Sequence, residues 1–223
     1  MITCQCPAAA AIPDVPNMDC AQSFGQIQKV TFTRLRNASG TLNGFVVTGA
    51  GESATGQIEK LASWETKLSA TDGTKMVVSP FLYSPADSGG DARMSSGGND
   101  DLGGVPDVLG ANPVQFNGNF RSIPQAIAKA LKQLQCEANA GNLGVFLFDE
   151  NGAIEAIQDE TTPTTYYPIP IRALFIGDKI HGNYDAKDAN PISWYYAENY
   201  SDNLTIVKPD FNPLTALVNA DNS

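Results

Sequence analysis

One histidine and four cysteines are all that this chain holds of the residues most used for metal binding and nucleophilic catalysis. The cysteines, Cys4, Cys6, Cys20 and Cys136, form no C-x-x-C pair. A zinc site would need Cys4, Cys6 and Cys20 with a distant fourth ligand, and free thiols of a reducing cytosol are the simpler expectation. No G-x-S-x-G elbow is present, and no glycine-rich run sits between strand and helix in a phosphate- or dinucleotide-binding pattern. No apolar run approaches the ~18–20 residues of a membrane span. Residues 1–16 have no basic region, and the run Ala8-Ala9-Ala10-Ala11 is too short for a signal core, so no secretory signal is expected. Charge is scarce, at 17% of residues, and one-sided: 24 acids against 14 bases give a net charge of −10. That sign repels DNA and anionic membranes and argues against nucleic-acid binding through counterion release. The same sign would let DNA slide along a channel without sticking. A surface poor in charge suits a subunit that packs against neighbours, and 223 residues are enough for one large domain without a disulfide or metal staple.

Residues 1–26 hold three prolines and little periodicity, which predicts an extended N-terminal arm, with a single β-rich domain over 27–223. Residues 27–36 (IQKVTFTRLR) alternate and are rich in β-branched and aromatic side chains, a strand pattern. Residues 55–69 (TGQIEKLASWETKLS) predict a helix over about 56–69, capped by Ser53 or Thr55, with Glu59 near its start. Residues 75–83 (KMVVSPFLY) predict a strand that Pro80 interrupts. Residues 85–104 are rich in glycine, serine and aspartate and predict a long loop, functional or unstructured.

Ser122-Ile123-Pro124-Gln125 has the form of a capping box with proline in the first turn. Ile123, Ile127, Leu131, Leu134 and Ala138 follow at helical spacing, and residues 139–141 supply left-handed formers. This predicts one long flanking helix over 122–138, whose Lys129 and Lys132 should face solvent or an acidic neighbour. Residues 143–148 (LGVFLF) and 153–158, joined through Asn151-Gly152, predict a tight hairpin. Strands over 169–176, 192–197 and 203–207 complete an α+β, mainly β fold: a β-sandwich or barrel with helices laid against it.

Each candidate for chemistry has a plainer explanation. His181 beside Asp178 would suit a Ser–His–Asp arrangement, but a lone histidine in a polar loop is usually a surface residue. Asp149, Glu150, Asp159 and Glu160 are paired acids of the kind used in glycoside hydrolysis, yet they fall where solvated turn residues are ordinary. Asp87, Asp91, Asn99, Asp100 and Asp101 are oxygen-rich enough for calcium but lack the spacing of a calcium loop. Trp194-Tyr195-Tyr196 would stack a sugar, though strand alternation explains it equally well. No catalytic, cofactor-binding or metal site is therefore assigned, and the chain is expected not to be an enzyme.

Two stretches carry a resemblance. DGTKMVVSPFLYSP (residues 72–85), after the tryptophan-bearing helix, and FIGDKIHGNYDAKDANPISWYYAENYSDNLTIVKPDFNPL (residues 175–214) resemble virion proteins from phages of gut Bacteroides. Within that group the pattern is most similar to tail tube (major tail) proteins, over about the last two-thirds of the chain. The resemblance implies a β-sandwich or barrel with a flanking helix, self-assembled into hexameric rings stacked as a hollow tube. It also implies other virion proteins as partners, extended arms or loops bridging rings, DNA passing without specific binding, and assembly in the host cytoplasm. No catalytic residues would transfer. The alternatives are a capsid decoration or head-completion protein, and a carbohydrate-binding module built on Trp194, Tyr195 and Tyr196.

Overall fold

The computed structural model describes residues 23–49, 54–99, 101, 103–185 and 187–219. Along the chain run β1 (Ile27–Arg34), β2 (Phe45–Val46), α1 (Leu61–Leu68), β3 (Met76–Val78), β4 (Leu82–Ser88), β5 (Ala92–Met94), β6 (Val108–Ala111), β7 (Gln115–Arg121), α2 (Gln125–Asn139), β8 (Leu143–Asp149), β9 (Ile154–Gln158), β10 (Thr165–Tyr167), β11 (Ile169–Ile176), β12 (Ala189–Tyr196), β13 (Leu204–Val207) and α3 (Pro213–Ala216). The fold is α+β and mainly β, as the sequence predicts. Most of the predicted arm, residues 1–22, lies outside the described residues.

The organising strand is β8. Its sequence LGVFLFD is buried along its whole length, because it packs against apolar layers on both faces. Val145 and Leu147 enter one core, while Phe146 and Phe148 enter another. On one edge it pairs with β1 throughout; on the other its first half pairs with β11 and its second half with β9. From β8 the antiparallel ladder continues through β11, β12, β7 and β4.

Pro80 closes this sheet on itself. Before it, β3 pairs with β1, and the Ser79 N–H donates to the Val30 carbonyl at 2.8 Å while the Ser79 hydroxyl accepts the Val30 N–H at 3.0 Å. Proline has no N–H to continue the ladder. The chain turns there, and β4 pairs instead with β7. One broken strand thus joins the two edges of a barrel. Inside it Phe116 stacks on Trp194 at 3.9 Å between ring centroids, and Phe32 meets the same indole edge-on at 6.2 Å. The second core lies outside the barrel wall, where Phe45, Ile58, Trp64, Met76 and Leu217 cover Phe146 and Phe148. The Trp64 indole N–H donates to the Ile58 carbonyl at 2.8 Å, so burial leaves it no unmet bond.

Both predicted helices begin later than expected. Ser122 is no N-cap. It sits at φ +52° with its N–H on the Asp188 carbonyl at 3.0 Å, held by the register of β7 on β12. The helix starts beyond Pro124, without a side-chain cap. Leu131 and Ala138 of the predicted stripe are buried, but Ile127 stays exposed. The predicted stop holds: Gly141 adopts φ +71°, and the N–H groups of Gly141 and Asn142 close on the Ala138 and Glu137 carbonyls. Helix α1 begins at Leu61 because Thr48 and Thr55 exchange backbone hydrogen bonds at 2.9 Å, and Gly56 turns at φ +80° against the Val46 carbonyl. A Cβ at Gly56 would stand 2.2 Å from that oxygen. Thr55 therefore caps nothing, and Ser53 lies outside the described residues.

The β8–β9 hairpin forms as predicted, by a different turn. Only Gly152 takes a positive φ, and the Gly152 N–H returns to the Asp149 carbonyl at 3.1 Å. This is a three-residue loop with a glycine bulge in place of a two-residue turn.

Candidate assembly interface

The segment predicted as a loop over 85–104 is strand at 85–88 and 92–94 and irregular over the rest of its described residues. β4 and β7 run past the barrel rim, and β5 and β6 continue as a separate two-stranded hairpin. Asp101 fastens its tip: the carboxylate accepts the Gly97 N–H at 2.7 Å and the Ser95 hydroxyl. Composition concealed this because the strands are set by pairing, β4 with β7 and β5 with β6, and hardly by local propensity. Every residue of β5 and β6 is exposed. Among them and in the connecting turn Met94, Val105, Val108 and Leu109 present 47%, 67%, 67% and 59% of their surface to solvent. A lone two-stranded hairpin is marginal in water, and clustered exposed apolar side chains mark interaction surfaces.

A second apolar surface lies along β1. β1 and β4 leave the barrel at opposite ends, because five antiparallel pairings separate them around the ring. An open groove of about 810 Å³ runs beside β1 from Lys29 to Arg34, between α2, the Pro80 corner and residues 217–219. Ile127, Phe81 and Val218 are its exposed apolar walls. Its bases are Lys29, Arg34 and Lys75, its acids Asp72 and Glu137. Arg34 pairs with Glu137. The Lys29 ammonium donates to the carbonyls of Leu214 and Leu217 at 3.2 and 2.8 Å, and burial lowers its pKa. The Asn219 side chain clamps the Val78 backbone, accepting its N–H at 2.7 Å and donating to its carbonyl at 2.8 Å.

At the hairpin end of the barrel sits a crowded group the sequence reading missed. Glu155 pairs with Leu147 and so turns inward, while its neighbours Ile154 and Ala156 face the second core. Burial first, then the charges of Asp87 and Asp149, push the Glu155 carboxyl up to about 7. Tyr200 stacks on Tyr196 at 4.3 Å between centroids. Burial drives the Tyr196 hydroxyl well above the usual phenol range, opposed by the nearby Trp194 N–H; neither atom has a partner in good hydrogen-bond geometry. The alternation Ile154–Glu155–Ala156 was the signal available: an acid on the inward face of a strand.

The residues considered for chemistry are not brought together. His181 is exposed, and Asp178 pairs with Lys132, which meets the expectation of an acidic neighbour for that helix face. Asp149 is a correction to the expected solvated turn acid. It is buried, and its carboxylate accepts the N–H groups of Gly25, Asn151 and Ala153 at 3.1, 2.9 and 2.7 Å. Asp159 holds a turn through the Thr161 N–H and hydroxyl, bonds that lower its pKa. Glu150 and Glu160 are exposed. Asp87 lies opposite Phe116 on the barrel rim, while Asp101 is committed to the hairpin tip, so the calcium grouping does not form among the described residues. Asp100, Cys4, Cys6 and Cys20 lie outside them; Cys136 is exposed. Trp194 is fully buried and Tyr196 nearly so, leaving only Tyr195 partly open, which removes the proposed sugar-stacking platform. No described helix is long and apolar enough to cross a membrane.

No protein-family model matches the chain, and no curated protein matches it in sequence. Among solved structures, a protein from the tail of an empty GTA particle with C6 symmetry is similar at 12% identity and a TM-score of 0.31, over 58% of this chain and 87% of that one. A protein of the six-fold symmetrised anti-feeding prophage (AFP) baseplate is similar at 6% identity and a TM-score of 0.34, over 86% of this chain and 99% of that one. Likenesses this slight carry nothing about function.

Proposed function

We propose that the chain is a virion structural protein, a tail tube subunit that self-assembles into stacked rings forming a conduit for DNA. The observation that supports this best is apolar surface left uncovered at two separate places on one barrel, the β5–β6 hairpin and the groove beside α2. A monomer gains nothing from either, and a repeating assembly buries both. The resemblance of residues 72–85 and 175–214 to tail tube proteins points the same way. On this reading the protein catalyses no reaction and binds no cofactor. Its partners are copies of itself and other virion proteins, and its net charge of −10 lets DNA pass without specific contact. Its place is the virion, after assembly in the host cytoplasm.

Negative-stain electron microscopy of the purified protein over a concentration series tests this. Rings or tubes are expected. A protein that stays monomeric throughout overturns the proposal, and binding to capsids without self-stacking transfers the chain to the decoration reading.

A further inference from the structure

We infer that a pocket between the start of α2 and the segment after β11 binds a phosphate group that brings a hydroxyl donor with it, free or on a sugar. The pocket has a volume of about 420 Å³ and shares no lining residue with the groove beside α2. Lys129, Lys132 and Lys179 all line it, a convergence of cations in a chain of net charge −10. Local structure puts them there. Lys129 and Lys132 lie three residues apart on α2 and so share a face. Lys179 reaches the same space from the connector between β11 and β12.

The helix end adds to the attraction. No side chain caps α2, and Gln125 of its first turn lines the pocket. Its unpaired backbone N–H groups and the helix dipole favour an anion beside the lysines.

Asn190 sets a second requirement. On β12 it takes the buried face shared with Ile192, Trp194 and Tyr196, and only 2% of it is exposed. Its Nδ2 donates to the Gly177 carbonyl at 3.1 Å, which fixes the amide, yet among the described residues its Oδ1 has no hydrogen-bond partner. A buried acceptor left unmet is costly, and Asn190 is part of the pocket wall. The ligand must therefore be an anion that also donates. Hydrogen phosphate does both: its oxygens accept from the ammonium groups, and its hydroxyl donates to Asn190 Oδ1. Sulfate has nearly the same shape and charge but no hydrogen to give.

The neighbouring acids do not close the site. Asp178 pairs with Lys132, but its side chain is 95% exposed, and so open a pair holds little against a bound anion. Asp188 stands 3.9 Å from Lys179, and Lys129 has no ionic partner among the described residues. The volume also leaves space beside a bare phosphate for a sugar attached to it.

Isothermal titration calorimetry of the full chain at pH 7 and constant ionic strength, with inorganic phosphate, glucose 6-phosphate and sulfate, tests the site. Saturable binding of one phosphate per chain is expected, with sulfate about tenfold weaker or more because it leaves Oδ1 unmet. Tighter binding of glucose 6-phosphate than of phosphate identifies a sugar phosphate as the ligand, and weaker binding identifies free phosphate. Lys129→Gln with Lys179→Gln changes two exposed positions, so the fold should survive by thermal melt while phosphate binding weakens about tenfold or more. Asn190→Leu should bring phosphate and sulfate to equal affinity; if it unfolds, the preference of the wild type for phosphate over sulfate makes the same test. No saturable phosphate binding, equal affinity of the wild type for sulfate, or binding untouched by the lysine variant overturns the site.

Discussion

Residues 143–148 and residues 105–111 are both short apolar runs, and the molecule treats them in opposite ways. LGVFLF becomes β8, with β1 on one edge, β11 and β9 on the other, and an aromatic core on each face. VPDVLGA becomes the outer strand of a hairpin with no face covered. The hydrophobic effect scales with apolar area removed from water, so the first run stabilises the folded chain and the second contributes nothing until something covers it. Similar apolar content thus decides little by itself; the neighbours of a strand fix whether its apolar surface serves the fold.

The sharpest way to break the contrast is at the core. Trp64→Ala empties the centre of the second core, where the indole touches Phe45, Phe146 and Phe148. It should lower stability by about 3–5 kcal/mol, read from the urea midpoint. Next comes Lys29→Met, which keeps the apolar stem but strands the Leu214 and Leu217 carbonyls. A loss of about 2 kcal/mol is expected, and a variant as stable as wild type would show that water replaces the ammonium.

Glu155→Gln should act through pH. The native fold holds the Glu155 proton up to about 7, whereas the unfolded chain releases it near 4.5, so this group costs stability as pH rises between those values. The variant should match wild type near pH 4.5 and exceed it by on the order of 2 kcal/mol at pH 8. Thermal melts of the pair across that range check the sign; a constant difference refutes it. Smallest is Leu109→Asp on the hairpin. In dilute monomer it should move stability by no more than about 0.5 kcal/mol, since nothing is unpacked. A large loss there would mean the hairpin packs on its own barrel.

How far the sequence carries depends on whether a signal is local. β1, β8, β9, β11 and β12 were legible because alternation or a continuous apolar run lies within each strand. The late start of α2 was not, because Ser122 is taken by the main chain of Asp188 through a register set by β12. Glycine and aspartate in 85–104 read as loop because pairing with β7 and β6, not propensity, makes the strands at 85–88 and 92–94. Barrel closure through Pro80 was half visible: the break could be read, but not that its two sides serve different edges. Of the candidate interface, composition showed only low charge. Which apolar residues stay outside is a property of the finished packing.

Lys29 ties the first described strand to the last helix. A ribosome releases Lys29 long before residues 214–217. Until residues 214–217 emerge, the ammonium has no carbonyls to meet, and the second core lacks Leu214 and Leu217. The barrel wall can pair beforehand, but the groove is walled in part by residues 217–219 and completed only once they emerge. A copy stopped before residue 214 therefore has its barrel strands but neither a complete second core nor this groove.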